Sequence, residues 1–131
     1  MIVKVLFDTN LLISMLERPV DVVSRVEELL EVKVEPVILR VQLQEIEKMA
    51  RTKRLKISQT ARALLSLISN KFIIIESPDN KVDEAIVEVS KRESLIVATN
   101  DRELRRKLRR SGVTTIYMKS NGKFEVEGYR P

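Results

Sequence analysis

Short β-branched apolar runs alternate with amphipathic helical stretches from one end of this chain to the other, and that alternation restricts the fold more than any other feature. Ile2 to Phe7 reads as a buried strand, and Leu11 to Leu16, followed by Pro19, as a short helix that must stop there. Val20 to Val32 reads as a second helix and Val34 to Leu39 as a strand. Val41 to Arg51 and Ser58 to Ser69 read as helices, with Ser58 in the N-cap position. Phe72 to Ile75 is the next strand. Past a turn at Pro78 to Asn80, apolar residues at Val82, Ala85, Ile86 and Val89 give Val82 to Lys91 helical spacing. Leu95 to Ala98 is a strand, Arg102 to Arg110 a helix stopped by Gly112, and Thr114 to Met118 a final buried strand. Ser120-Asn121-Gly122 then turns the chain into a short hairpin or edge strand through Phe124 and Val126. The pattern predicts one α/β domain over residues 1–131, three layers (α/β/α) around a mostly parallel sheet. Right-handed crossovers bring the strand C-termini to one edge, where such sheets carry their sites.

Composition narrows the chemistry open to that edge. The 131 residues include no cysteine and no histidine, which excludes disulfides, tetrahedral zinc, iron–sulfur ligation, thiol nucleophiles and imidazole acid–base catalysis. Gly112, Gly122 and Gly128 are the only glycines and stand isolated, so no phosphate-cradling loop or dinucleotide fingerprint can be built. No apolar run approaches a membrane span and no signal-peptide pattern is present, so a cytoplasmic location with no membrane contact is the expectation. A formal net charge of +5 with 33% charged residues suits contact with an acidic polymer. The same charge also resembles the Lys, Arg and Glu networks of thermophile proteins.

Two strands end alike. Val5-Leu6-Phe7 runs into Asp8-Thr9-Asn10, and Ile96-Val97-Ala98 into Thr99-Asn100-Asp101, each just before a helix. If the strands are neighbours, Asp8 and Asp101 face each other. Either acid alone reads more readily as a helix cap, and Asn100 with Glu103 has capping-box spacing; the repetition at two strand ends points to a site. Asp83 projects beside the apolar arc of its helix. Glu45 flanks the apolar face of Leu39, Leu43, Ile46, Met49 and Ala50, between Met49 and Val41. Each of these two, taken singly, reads as a solvated flank. Four clustered carboxylates repel at short range and need protonation or cations for relief. Oxygen-only ligands suit Mg²⁺ or Mn²⁺, which bridge to substrate phosphates and allow phosphodiester hydrolysis without histidine.

Four segments carry a family resemblance: Phe7-Asp8-Thr9-Asn10-Leu11-Leu12, Gln44-Glu45-Ile46, Val82-Asp83-Glu84-Ala85-Ile86 and Val97-Ala98-Thr99-Asn100-Asp101-Arg102-Glu103-Leu104. In order and context, across nearly the whole chain, they resemble the PIN-domain nucleases. The resemblance implies a Mg²⁺- or Mn²⁺-dependent endoribonuclease with Asp8, Glu45, Asp83 and Asp101 as its acidic cluster. It also implies hydrogen-bonding support from Thr9, Asn10, Thr99 and Asn100, and Glu103 as an accessory acid. Among standalone prokaryotic forms the chain is similar to VapC-type toxins in size and to ribosomal-RNA-processing nucleases in its Thr-Asn-Asp-Arg-Glu-Leu stretch. RNA, an antitoxin protein and a second copy of the chain are the partners so implied. Without Cys or His, the chain has no zinc module of the kind some of these nucleases append.

Basic residues flank the acids: Arg102, Arg105, Arg106, Lys107, Arg109 and Arg110 follow Asp101, and Arg51, Lys53, Arg54 and Lys56 follow the Glu45 helix. Read structurally, they complement helix dipoles and cover apolar surface with their stems. Read functionally, they form a margin that grips RNA phosphates on either side of an acidic centre. Phe7, Phe72, Phe124, Tyr117 and Tyr129 are the whole aromatic set, too few for a base-stacking platform. Two other readings compete. A catalytically inactive RNA-binding or scaffolding module is disfavoured by the presence of all four acids. A receiver-like phosphoacceptor domain is disfavoured because Phe72 to Ile75 ends in Glu76-Ser77-Pro78 and supplies no acceptor Asp.

Overall fold

Val5, Leu6 and Phe7 are consecutive and all fully buried, which a strand achieves only where both faces of its sheet are covered. The computed structural model describes residues 1–17, 21–78 and 81–128 and shows how the cover is arranged. The order is β1 (Ile2–Phe7), α1 (Thr9–Glu17), α2 (Val22–Leu30), β2 (Lys33–Leu39), α3 (Arg40–Ala50) and α4 (Leu55–Lys71), followed by β3 (Ile73–Ile75), α5 (Val82–Arg92), β4 (Ile96–Ala98), α6 (Arg102–Arg110), β5 (Thr115–Met118) and β6 (Phe124–Glu127). The sheet runs β3-β2-β1-β4-β5-β6, with β1 to β5 parallel and β6 antiparallel to β5. Gly122, at φ 85°, supplies the left-handed residue of the hairpin turn between β5 and β6.

Side chains alternate between two cores. Val5, Phe7, Ile38, Ala98 and Ile116 meet Leu12 of α1, Val26 of α2 and Leu64 and Ile68 of α4 on one face. Leu6, Val37, Leu39 and Val97 meet Ala85, Ile86 and Val89 of α5 and Leu104 and Leu108 of α6 on the other. This is the expected α/β/α layering. Chain order reverses between β1 and β4: the chain leaves β1 for β2 and β3, then crosses back to β4 on the opposite side. Phe7 pairs with Ala98 in register, so both strands end together at this switch point.

Several boundaries differ from the sequence reading. Helix α2 is shorter, because Asp21 caps it through Ser24, accepting from the backbone N–H at 3.2 Å and from the hydroxyl at 2.8 Å, while Glu31 ends it at φ 56°. Helix α4 begins at Leu55, so Ser58 is not its cap. The Ser58 hydroxyl donates instead to the Ala50 carbonyl at 2.8 Å, clamping α4 to the end of α3. The stop at Pro19, the start at Val20, the Asp79–Asn80 part of the predicted turn and Tyr129 lie outside the described residues. Among the described residues, no helix is long and apolar enough to cross a membrane.

Candidate active site

Asp8 follows β1 directly. Its backbone N–H donates to the Ala98 carbonyl at 2.9 Å, and its own carbonyl accepts from Leu11 and Leu12 at 3.1 and 3.2 Å to start α1. The residue is 9% exposed, and Oδ2 accepts from the Thr99 hydroxyl at 2.7 Å. Thr99 Oγ1 accepts in turn from the Asp101 backbone N–H at 3.0 Å, so one hydroxyl joins the two acid-bearing strand ends. Asp101 Oδ1 accepts from the N–H groups of Glu103 and Leu104 at 2.9 and 3.1 Å and caps α6. Capping therefore describes Asp101, whereas the Asp8 carboxylate is turned to Thr99. The Asn100–Glu103 capping box is not formed: Asn100 Oδ1 accepts from the Met118 N–H at 2.7 Å and ties the β4 loop to β5. Asp8, Asn10, Ser14, Asn100 and Asp101 line a cavity of about 290 Å³.

Burial above all, and then the charges of Asp83 and Asp101, raise the Asp8 carboxyl above its ordinary range, with the Thr99 bond opposing. Asp83, in the first turn of α5, is raised by burial and by Asp101 and Glu103, with Lys107 opposing. The charges of Asp83 and Asp101 thus act on Asp8, and those of Asp101 and Glu103 on Asp83. Glu45 stands to one side. It is exposed on α3, in a groove of about 380 Å³ shared with Lys48, Arg51, Lys81 and Val82, the residue before Asp83. Its charge is not among those that raise Asp8 or Asp83. Arg51 lines that groove, while Lys53 and Arg54 are exposed in the α3–α4 connection. Glu76, after β3, pairs with Arg40 at 3.0 Å.

Gln42 is the residue that sequence reasoning missed. It is fully buried; Nε2 donates to the Phe7 carbonyl at 2.9 Å and to Thr9 Oγ1 at 3.2 Å, and Oε1 accepts from the Leu39 N–H at 2.9 Å. It pins α3 to the end of β1, one residue before Asp8. Its spacing of four from buried Ile46 was the available signal. Gln42→Leu orphans a buried carbonyl and a buried N–H, and lowers the unfolding free energy by about 2–4 kcal/mol in urea denaturation. A loss below about 0.5 kcal/mol would show that these bonds carry no net stability.

Fold and acids together define an α/β protein with a carboxylate-lined switch point. The model of the PIN like domain family matches residues 5–121, and the chain belongs to that family. Ribonuclease VapC4 of Methanocaldococcus jannaschii is 32% identical over 127 residues, covering 95% of this chain and 97% of the relative. Ribonuclease VapC9 of Archaeoglobus fulgidus is 31% identical over 83 residues, 63% of this chain and 60% of the relative. Among solved structures, the PIN domain endonuclease Utp24 aligns with a TM-score of 0.77 at 24% identity, over 96% of this chain and 92% of that one. PAE2754 from Pyrobaculum aerophilum aligns with a TM-score of 0.56 at 22% identity, over 82% of this chain and 87% of that one. At these identities the structural likeness is one of fold.

Proposed function

We propose that this protein is an endoribonuclease that hydrolyses RNA phosphodiester bonds with a divalent cation, Mg²⁺ or Mn²⁺, drawn to the acids Asp8, Glu45, Asp83 and Asp101, one or two of which would ligate it directly and the others through water. The observation that carries the reading is the Thr99 hydroxyl that joins the Asp8 carboxylate to the Asp101 backbone at the switch point, with no ion pair to Asp8, Asp83 or Asp101 among the described residues. The ribonuclease relatives support it. The donor set is all oxygen, which fits a hard cation. Among the described residues no three acids stand so as to hold an ion by themselves. That suits Mg²⁺, which keeps several waters and takes one or two protein carboxylates together with substrate phosphate.

When bound, the cation would supply charge to a phosphate oxygen and lower the pKa of water. The chain's own residues orient the reaction. Thr99 fixes Oδ2 of Asp8, and the backbone N–H groups that begin α6 fix Asp101. The N-terminal ends of α1 and α6 meet at this edge and favour a phosphate there. Asp83, in the first turn of α5, adds its charge at Asp8, while Glu45 lines the neighbouring groove on α3. Hydrolysis forms one bond from water oxygen to phosphorus and breaks the bond to the leaving sugar oxygen, which takes up a proton. Arg51, Lys53 and Arg54 on one side and the arginines of α6 on the other grip the RNA backbone. The identity to the VapC ribonucleases favours a toxin restrained by an antitoxin protein over an RNA-processing role.

The test is cleavage of a labelled mixed-sequence RNA with Mn²⁺, with Mg²⁺ and with excess EDTA. Cleavage that needs the cation and returns when it is restored supports the proposal. RNA binding with no cleavage under any of these conditions favours the scaffolding reading instead.

A further inference from the structure

We infer that the cleft between α6 and the β5–β6 hairpin is a phosphate-binding groove for the RNA strand, in which Glu127 is a built-in counter-anion that a phosphate displaces from Arg105. The inference rests on RNA being the substrate, as proposed above. The cleft, of about 610 Å³, is lined by Arg102, Arg105, Arg106, Arg109, Arg110 and Glu127. One carboxylate thus faces five guanidinium groups. Glu127 Oε1 accepts from Arg105 Nη2 at 2.8 Å, while Arg109 Nη1 bonds only to the carbonyl oxygens of Val113 and Glu127. Arg102, Arg106 and Arg110 have no ion pair or hydrogen bond among the described residues.

A structural role does not account for this crowding. The dipole of α6 favours Arg109 and Arg110 at its C-terminal end but disfavours Arg102 at its N-terminal end, and self-repulsion of the row opposes folding. Arg105 is also prepared for a larger acceptor. Its guanidinium stacks 3.6 Å from the Tyr117 ring centre, and the Tyr117 hydroxyl donates to Glu125 Oε2 at 2.6 Å, which fixes the ring. Arg105 Nε is buried without a partner, so the single Glu127 oxygen leaves one donor of the fork unused. A phosphate presents oxygens for both edges of such a fork. Gly128 lets Arg109 approach the hairpin, since a Cβ there would collide with its guanidinium. The groove starts at Arg102, next to Asp101, and follows the nine residues of α6, a rise of about 12 Å away from the acids.

The test is fluorescence anisotropy with a labelled single-stranded RNA of about 12 nucleotides in EDTA, so that cleavage plays no part. Arg106→Glu with Arg110→Glu weakens binding by about tenfold or more and lowers the logarithmic salt slope by about 1.4, two contacts at about 0.7 each. Arg62→Glu with Lys91→Glu makes the same charge change on α4 and α5 and weakens binding by less than about threefold. Glu127→Gln tightens binding by about threefold, because no carboxylate has to leave Arg105. Equal losses in the two double variants would reduce the effect to net charge and overturn the groove. A Glu127→Gln protein that binds no tighter overturns the counter-anion. A labelled polyglutamate peptide that binds as tightly as RNA, and is weakened by the same variants, makes the cleft an acidic-protein surface and overturns the RNA assignment. These affinities are read without metal, so absence of cleavage elsewhere leaves them to stand or fall alone.

Discussion

Replacing Asp8 by Asn lowers cleavage by about 10³-fold and at the same time raises the melting temperature at pH 7 in EDTA by a few degrees. Asn keeps the shape and an oxygen for the Thr99 hydroxyl but carries no charge. Burial and the neighbouring Asp83 and Asp101 raise the Asp8 carboxyl, so the folded protein holds that proton more tightly than the unfolded chain does. Stability from this group is fully present below the ordinary carboxylate value and is lost as pH rises through the raised folded value. At pH 7 the ionised Asp8 is therefore a burden that Asn removes, and the gain shrinks towards zero as the pH is lowered through that window. Asp101→Asn makes the useful companion: Asn accepts from the Glu103 and Leu104 N–H groups as well as Asp does, so activity falls while the α6 cap holds. Initial rates and thermal unfolding read both effects. Wild-type cleavage in either variant removes that residue from the site, and an Asp8→Asn protein that melts lower than wild type reverses the electrostatic argument.

The second large effect belongs to Leu108→Ala, which destabilises the fold by about 3 kcal/mol and lowers the melting temperature by roughly 10 °C. Helix α6 reads RELRRKLRR, and only Leu104 and Leu108 are buried beneath it, both fully. Against an ordinary total stability of about 5–15 kcal/mol, removing half of that anchorage is severe. The helix it loosens carries the Asp101 cap at one end and the arginine face along its length, so RNA binding and cleavage fall with stability. Phe72→Ala, at the rim of the opposite core against Phe7, serves as comparison: it destabilises without touching α6. Retention of RNA affinity in Leu108→Ala at a temperature where it is fully folded would separate α6 from the binding surface.

Sequence reading located β1 and α6 to the residue, because one is apolar on both faces and the other sets two leucines four apart in a basic row. It misjudged α2, where the Asp21 cap decides the boundary, and α4, which begins at Leu55 without a side-chain cap. Ser58 has the chemistry of an N-cap, but a hydrogen bond to Ala50, invisible in local sequence, takes its hydroxyl. At the site, Asp8 and Asp101 were legible because two strands end in the same way, and parallel pairing of β1 with β4 makes them neighbours. Thr99 was expected as hydrogen-bonding support only through the family resemblance: a hydroxyl that reaches across 91 residues of sequence cannot be read from spacing. Gln42 was hidden for a similar reason. A glutamine in an amphipathic helix reads as solvated until the Phe7 carbonyl it serves is known to lie beneath it. Glu127 meets Arg105 only through the antiparallel register that sets it opposite Thr115.

The strand order also governs when the protein can act as it is synthesised. β1 is made first, yet its partner β4 emerges only after five helices and two strands, and Thr99 and Asp101 come later still. A nascent or truncated chain that ends before β4 leaves the Ala98 side of β1 unpaired and holds Asp8 without its hydroxyl clamp. Assembly of the acids therefore waits for β4 and the start of α6, however early β1 is made.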